Sequence, residues 1–342
     1  MSNLIQTWKR NRANRTKEDQ LIKWLHKCTL DEYVKAGAKR PSIQLIRSET
    51  GTGGLDFTIA KHGNALRVYL NKDTPAYGFA DITNKIAAAS YWMQHTNSKV
   101  KSITLYGDDG QGPSTANYSY SSCSPSVSML PDPHFFRSHG YKATNYFAAT
   151  KALKWDDRSD EIVWRGRVNN SGLFSLDPAL QDNPGVMQRL RMAQKCQALG
   201  IDFRFVDDVN AMVHGPLARA RLIGEFIPTL EWGGMKYAID IDGFTNAWCN
   251  FMERLKLGCC VLKVESQFGF RQWYYHKLTA WEHYVPISAD MSDLAANVDW
   301  VKSNPDKARA IAAAGQELAR AMTFETETRV AADIINTTEG AI

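Results

Sequence analysis

Apolar residues in the second half of the chain fall into short runs separated by longer stretches with helical spacing. Runs of four or five residues predict buried strands, and the longer periodic stretches predict helices. The predicted strands are 161–165, 203–206, 237–241, 260–264 and 284–287. The predicted helices are 184–199, a mostly helical stretch up to 234, 245–257, 270–278, 290–302, 305–322 and 325–336. Strands that alternate with helices indicate a parallel sheet, which binds ligands at the carboxyl ends of its strands.

The first half shows a less regular alternation. Its predicted helices are 17–36 and 82–94, and its predicted strands are 42–47, 57–60, 66–70 and 102–106. Residues 107–128 are rich in Gly, Ser, Asp and Tyr, which predicts a long loop of the kind that often carries function. A polar, charged stretch at 151–160 marks the expected interdomain hinge.

Length and composition fit a two-domain globular protein. The chain has 342 residues, of which 44% are hydrophobic, and a formal net charge of +5. We therefore expect an N-terminal lobe over 1–155, a C-terminal lobe over 156–322 and a last helix, 323–342, that packs back on the N-terminal lobe. The basic residues form no obvious stripe, which argues against a nucleic-acid partner.

The clearest basic cluster lies near the N-terminus. Its members are Lys9, Arg10, Arg12 and Arg15. A solvated tail is one interpretation, and attraction to an anionic membrane surface is the other. The six cysteines form no CxxC pair, and neither a signal peptide nor a spanning segment is evident, so we expect a cytoplasmic protein that contacts the inner face of the membrane peripherally.

Polar residues follow three of the predicted second-half strands. At the first, Arg165, Gly166 and Arg167 present guanidinium groups and backbone N–H groups that suit a phosphate, or else form a surface turn. At the second, Asp240, Asp242 and Gly243 precede a helix predicted to start at Thr245, whose N-terminus suits a diphosphate.

The acidic pair has a second interpretation. Asp240 and Asp242 spell D-x-D, a pattern that holds a divalent metal in another transferase architecture, and alternation along a strand puts both carboxylates on one side. Capping of the following helix by Asp242 is favoured over metal binding, because Asp-Gly stands at a strand-to-helix junction.

The third strand is followed by Glu265 and Ser266. The carboxylate suits sugar or ribose hydroxyls, and the serine suits a phosphate, although both also fit a simple helix cap. Aromatic residues from Trp273 to Tyr284 fit a packed core better than a stacking surface.

Together these motifs resemble glycosyltransferase family 90, which includes protein O-glucosyltransferases and capsule-associated xylosyltransferases. The matching segments are WRGR (164–167), KYAIDIDG (236–243), LGCCVLKVES (257–266), WYYHKLTAWEHYVPI (273–287), DMSDLAANVDWV (290–301) and ARAIAAAGQELA (308–319). Upstream, LPDPHFF (130–136) resembles a bacterial branch of the family that modifies lipopolysaccharide. The order and spacing of several motifs are more specific than any one of them.

The resemblance implies an α/β protein of the GT-B type, with two Rossmann-like lobes that face a central cleft. It also implies an inverting transferase that takes a sugar of the glucose or xylose class from a UDP-sugar, which is a co-substrate, and uses neither metal nor cofactor. The acceptor is expected to be a hydroxyl of a glycan or glycolipid, such as lipopolysaccharide or a surface polysaccharide.

The family's catalytic base, an Asp that follows an N-lobe strand, aligns best with Asp108. Asp109 and Asp132 are the neighbouring acceptor-side candidates, and a turn is the alternative role for Asp108. Many members carry Ser-x-Arg where this chain has Thr245-Asn246-Ala247. The diphosphate charge then falls to Arg165, Arg167, Lys263 or Arg271.

Two other functions remain open on the sequence. One is a metal-dependent transferase that uses Asp240 and Asp242, and the other is a relative that binds glycans or nucleotides without catalysis. Activity that persists in excess chelator would exclude the metal-dependent transferase. Binding of UDP without turnover of UDP-sugars would identify the non-catalytic relative.

Overall fold

A computed structural model of the chain describes residues 20–48, 55–71, 78–110, 112, 114–168, 172–206 and 211–340. The basic cluster at 9–15 and the predicted helix start at 17 lie outside the described residues. The chain divides into two compact units. The first comprises Met1–Tyr120, Pro125–His139 and Phe324–Ile342, and the second comprises Ser121–Ser124 and Gly140–Thr323. The lobe boundaries predicted at 155 and 322 stay predictions.

The first unit contains a mixed six-stranded sheet in the order β1-β3-β2-β4-β5-β6. Its strands are β1 (Ser42–Ser48), β2 (Phe57–His62), β3 (Ala65–Asn71), β4 (Ser102–Leu105), β5 (Tyr118–Ser119) and β6 (Ser128–Met129). Strand β2 runs antiparallel to both of its neighbours, whereas β1 pairs with β3, and β4, β5 and β6 pair with one another, in parallel. The strands predicted in this half are confirmed within one or two residues.

Helices of the first unit pack on this sheet and on one another. They are α1 (20–36), α2 (Gly78–Gln94), α3 (Pro133–Arg137) and α10 (Phe324–Gly340). Ile82, Ile86 and Met93 of α2 are fully buried, as the spacing of apolar residues along one helix face requires. Phe324, the first residue of α10, packs its ring against Trp92 at 5.9 Å between ring centroids.

The second unit is built on an entirely parallel six-stranded sheet in the order β12-β11-β10-β7-β8-β9. Its strands are β7 (Ser159–Gly166), β8 (Asp202–Val206), β9 (Ile223–Gly224), β10 (Met235–Asp240), β11 (Cys260–Val264) and β12 (Val285–Ile287). The accompanying helices are α4 (Lys142–Thr150), α5 (Gln188–Ala198), α6 (Ala211–Arg219), α7 (Asn250–Lys256), α8 (Leu294–Ser303) and α9 (Pro305–Ala321). The predicted parallel sheet is confirmed, and every residue of β11 is buried, as a central parallel strand requires.

Three predicted helical stretches are wrong in part or in whole. Helix α7 starts at Asn250 rather than at Thr245, and residues 270–278 contain only a short 3-10 turn, Tyr275–Lys277. The stretch up to 234 contains α6, but it then adds β9 as an edge strand and ends in a 3-10 turn, Thr229–Gly234. Short helices α3 and α4 lie where no helix was predicted.

The described residues include no helix that is both long and apolar enough to cross a membrane.

Candidate functional site

The parallel sheet of the second unit reverses its direction of growth between β7 and β10. From β7 the chain adds β8 and β9 on one side, and then β10, β11 and β12 on the other. In parallel sheets of this kind, ligands bind beyond the carboxyl ends of the two strands that flank the reversal. The residues that follow β7 and β10 therefore define the candidate site.

A buried ion triad lies at the end of β10. The ammonium of Lys263, in the neighbouring strand β11, is 3.0 Å from Asp240 Oδ2 and 3.1 Å from Asp242 Oδ1. Each of the three residues is less than 10% exposed. Burial on its own lowers the pKa of Lys263, but the two carboxylates outweigh burial and raise it above its ordinary value. Lys263 therefore stays charged and neutralises part of the acidic pair.

One oxygen of this triad has no partner. Asp242 Oδ2 is buried, and none of the described residues hydrogen-bonds to it. Asp242 also lines a small open pocket, the other lining residues being Met187, Gln188, Arg189, Gly243, Gln267 and Phe268. A buried carboxylate oxygen without a donor is costly, so this atom is suited to accept a hydrogen bond from a bound group.

Arg189 spans the two strand ends. Its guanidinium donates to the carbonyl of Arg167, after β7, at 2.8 Å, and to the carbonyl of Ile241, after β10, at 3.0 Å. It also lies 5.1 Å from the centre of the Trp164 ring. Burial lowers the pKa of Arg189 to about 10, against the opposing effect of Asp240 and Asp242, so the group is cationic at neutral pH.

The sequence interpretation missed Arg189 and Gln188, which are the first two residues of α5. A usable signal exists, because the helix after β7 must start at the carboxyl edge of a parallel sheet. Polar residues in its first turn therefore lie near the ligand edge. Gln188 donates to the carbonyls of Glu265 and Ala289 at 3.1 and 2.8 Å, and so ties this turn to the loops after β11 and β12.

Three predicted donor residues lie in the loops at this edge. Glu265 is exposed, and its N–H donates to the Ile287 carbonyl at 2.8 Å. Ser266 Oγ accepts from the N–H of Phe270 at 2.8 Å, which closes the following turn. Thr245 is buried, and its hydroxyl accepts from the N–H of Ala247 at 3.2 Å.

The predicted helix start at Thr245 is wrong, because Thr245 lies in a turn, whereas the role of Thr245 in donor binding stays a prediction. Asn246 is held by distant residues: its side-chain oxygen accepts from the hydroxyl of Ser121 at 2.8 Å, and its carbonyl accepts from Gln272. These tertiary hydrogen bonds, together with the local bond from Thr245, compete with helical bonding. The helix begins only at Asn250.

Arg165 makes structural contacts. Its guanidinium pairs with Asp202 at 2.6 Å and also donates to the carbonyls of Trp164, Asp202 and Glu225. Gly166 is required by packing, because a Cβ there would lie 2.4 Å from the Trp164 ring. Strand β7 extends through Gly166, so Arg165 pairs across the sheet instead of projecting beyond it.

The remaining arginine candidates differ in exposure. Arg167 is exposed and follows β7 directly. Arg271 donates to the carbonyl of Ser124 at 2.6 Å, and its backbone pairs with Ser122 in an antiparallel bridge. The triad and Arg189 are thus brought together, whereas Arg165 and Arg271 are engaged in other contacts.

The three acidic candidates of the first unit have distinct environments. Asp108 and Asp109 follow β4, and Asp108 Oδ1 accepts from the N–H of Asp109 at 2.8 Å. Asp109 is 2.8 Å from the ammonium of Lys85. Asp132 is fully buried and caps α3, accepting from the N–H of Phe135 at 2.7 Å. Burial and the nearby Asp108 raise the pKa of Tyr106 to about 12.

Within the described ranges, no group of three or more His, Cys, Asp or Glu side chains converges as a metal site would require.

Comparison with known proteins identifies the class. The family described as glycosyl transferase family 90 matches residues 141–326, which is more than half of the chain and includes the candidate site of the second unit. The chain belongs to glycosyl transferase family 90, and so to a class of sugar-transferring enzymes. The resemblance in the motifs is thereby confirmed.

Individual relatives match shorter stretches. Protein O-glucosyltransferase 2 of Danio rerio is 28% identical over 166 residues, or 48% of this chain and 29% of the relative. An uncharacterized protein, 179R, of Invertebrate iridescent virus 6 is 38% identical over 86 residues, or 24% of this chain and 7% of the relative. The chain thus spans less than a third of the length of these relatives.

Among solved structures, a pneumococcal O-GlcNAc transferase in complex with UDP and GlcNAc is 9% identical. It covers 54% of this chain and 37% of its own, with a TM-score of 0.35. A similarity this low supports no conclusion about the fold or the ligand.

Proposed function

We propose that the protein transfers a sugar from a UDP-sugar to a hydroxyl of a glycan acceptor, with inversion at the anomeric carbon. The pocket beside the end of β10, which the start of α5 and the loops after β10 and β11 line, supports this function most directly. It combines a cationic Arg189 with a carboxylate oxygen of Asp242 that has no hydrogen-bond partner in the described part of the chain, inside the segment that family 90 matches. A nucleotide-sugar presents both complementary groups, a diphosphate and sugar hydroxyls.

Arg189 is the cation that we assign to the diphosphate, with Arg167 beside it. A guanidinium suits phosphate oxygens because its N–H groups form a planar fork. Lys263 is less suited to direct contact, because both carboxylates of the triad already engage its ammonium. Asp242 Oδ2 would accept from a hydroxyl of the donor's sugar or ribose.

In the proposed reaction, the acceptor hydroxyl attacks the anomeric carbon while its proton passes to Asp108. The new bond joins the acceptor oxygen to the anomeric carbon, and the bond from that carbon to the β-phosphate oxygen breaks. UDP leaves with the bonding electrons, and Arg189 stabilises the growing negative charge. A base of this kind contributes about 100- to 10,000-fold to the rate.

The finer features belong to the same proposal. They are the GT-B arrangement of two lobes about a cleft, a reaction without metal, and a lipopolysaccharide or surface-polysaccharide acceptor at the cytoplasmic face of the membrane. Glucose is the first donor sugar to test, since relatives are named protein O-glucosyltransferases. A metal-dependent reaction through Asp240 and Asp242 is less favoured, because Lys263 lies between the two carboxylates.

The test measures UDP release from a panel of UDP-sugars with glycan acceptors, with and without a chelator, beside calorimetric binding of UDP. Asp108→Asn should lower turnover at least about 100-fold and leave UDP binding unchanged. Arg189→Met should weaken UDP binding at least about tenfold, whereas Arg204→Met, an exposed arginine on β8, should not.

Each alternative has its own signature in this test. Binding of UDP without turnover of any sugar would indicate a non-catalytic relative. Loss of turnover in chelator would favour the metal-dependent reaction. Full activity of Asp108→Asn would remove Asp108 from the mechanism and direct attention to Asp109.

A further inference from the structure

A buried lysine of the first unit contacts the loop that carries Asp108. Lys85 of α2 is 7% exposed, and its ammonium donates to the Gly107 carbonyl at 3.0 Å and to Asp109 Oδ1 at 2.8 Å. Its own carbonyl accepts from the hydroxyl of Tyr120 at 2.8 Å. A buried ammonium is tolerated when it is paired and hydrogen-bonded. The Gly107 carbonyl and the Asp109 carboxylate therefore stabilise the Lys85 ammonium, and the ammonium in turn holds the loop.

The loop itself is tightly packed at Gly107. A Cβ at Gly107 would lie 2.1 Å from the Leu55 carbonyl oxygen and 2.9 Å from Ile82 Cδ1. The backbone after β4 therefore approaches its neighbours more closely than any other residue allows. Lys85 then fixes the next turn from the helix side.

The contacts continue from Lys85 to Asp108 through one residue. Lys85 holds the Asp109 carboxylate, and the Asp109 N–H donates to Asp108 Oδ1 at 2.8 Å. The orientation of the Asp108 carboxylate thus depends on a loop that Lys85 holds through the Gly107 carbonyl and the Asp109 side chain. Asp109 Oδ1 accepts from the ammonium, whereas Asp108 Oδ1 accepts from its neighbour's N–H.

We propose that Lys85 is a positioning residue for Asp108, and that its ion pair with Asp109 separates the roles of the two adjacent carboxylates. Asp108 accepts the acceptor's proton, and Asp109 serves as the counter-ion of Lys85. This inference rests on the proposed function for the catalytic step. The positioning of the loop is a property of the fold and is testable separately.

Lys85→Met is the test variant, and Lys61→Met is its matched control. Lys61 is a partly buried lysine of the same unit that holds a different loop, donating to the Thr96 carbonyl at 3.0 Å and to the Asn97 carbonyl at 2.7 Å. Displacement of a catalytic group by about 1 Å costs about 100-fold, so Lys85→Met should lower kcat by about 10- to 100-fold. KM for the UDP-sugar and binding of UDP should stay within about twofold, and Lys61→Met should leave kcat unchanged.

A double-mutant cycle identifies the route. Asp109→Asn should also lower kcat. In the double variant Lys85→Met/Asp109→Asn, the loss in kcat should be smaller than the product of the two single losses, because both substitutions remove the same contact. Full additivity would overturn the assigned route through Asp109. Thermal melting of each variant checks folding, and Lys85→Gln, which keeps a donor without charge, replaces the Met variant if that does not fold.

Hydrogen exchange separates this inference from the proposed function. Amides at 107–110 should exchange faster in Lys85→Met than in the wild type, and not in Lys61→Met. Unchanged exchange there, or unchanged kcat in an active enzyme, would overturn the role of Lys85. A wild-type protein that turns over no UDP-sugar contradicts the proposed function instead, and exchange still decides whether Lys85 holds the loop.

Discussion

Lys263 places an ammonium group within β11, a strand whose five residues are all buried. Its position is explained by the two carboxylates of β10 and the following loop, each about one hydrogen bond away. The rings of Phe251 and Tyr275 lie 5.7 and 5.8 Å from the ammonium and exclude water. The ammonium thus stands where a cation is needed to hold the two acids together.

Removal of this cation should be costly. Lys263→Met leaves two buried carboxylates without their counter-ion, and breaking a buried pair in this way costs about 3–5 kcal/mol of unfolding free energy. Denaturant unfolding monitored by circular dichroism measures the loss. The control is Lys236→Met on β10. Its partner Asp160 is 79% exposed, so this substitution should lower the unfolding free energy by less than about 1 kcal/mol. Equal losses in the two variants would show that the triad is not the source of the stability.

The arginines show what residue patterns can predict. Arg165 was identified by its place at a predicted strand end, but β7 continues one residue further, and the side chain pairs with Asp202 across the sheet. Arg189 lies more than twenty residues along the chain, and only the start of α5 places it at the same edge. Distance along the sequence conceals this proximity.

At the scale of elements, the apolar runs predicted the second-half strands because buried parallel strands consist almost entirely of apolar residues. The helix predictions failed at 245–249 and 270–278. Residues in these segments hydrogen-bond to residues that are far away in the sequence. Ser121 holds Asn246, and Ser122 pairs with Arg271. Helical spacing of apolar residues does not reveal such contacts.

Two helical glycines allow an element-level test with one substitution. Gly315 of α9 lies against the loop before β12, where a Cβ would be 2.5 Å from the His283 carbonyl oxygen and 2.9 Å from Leu255 Cδ2. Gly215 of α6 has only the end of the flexible Arg219 side chain nearby, at 3.4 Å. The same change should therefore cost much more at Gly315 than at Gly215.

Gly315→Ala should destabilise the protein by about 1–3 kcal/mol through overpacking. Gly215→Ala should change the stability by less than about 1 kcal/mol, because the gain in helix propensity is offset by the contact of the new Cβ with the ring of Pro216, the next residue. Thermal and denaturant unfolding give both values. A stabilising Gly315→Ala would mean that α9 does not approach the loop as closely as the structure places it.

At the scale of the whole molecule, the two units differ in how well the sequence reveals their family. The family match at 141–326 nearly coincides with the main segment of the second unit, Gly140–Thr323. Specific chemistry at three strand ends makes that unit recognisable in the sequence. The first unit offers general α/β patterning and two short motifs, around Asp108 and at 130–136, so the sequence named its acidic candidates but not their contacts.

The proposed binding of the donor at one edge of the parallel sheet has a consequence that amide exchange can measure along the chain. If the donor nucleotide binds beyond the carboxyl ends of the strands, UDP should slow amide exchange at 187–191, 241–243 and 265–268. The amino ends of the parallel strands, at 159–161 and 283–285, should exchange as before. At about 100 times the dissociation constant a ligand adds about 2.7 kcal/mol, enough to slow exchange up to about 100-fold where opening destroys the site. Uridine, which lacks the diphosphate, is the matched ligand and should protect the Arg189 turn less than UDP. Protection at the amino ends, or equal protection by both ligands at 187–191, would place the nucleotide elsewhere and remove Arg189 from the diphosphate site.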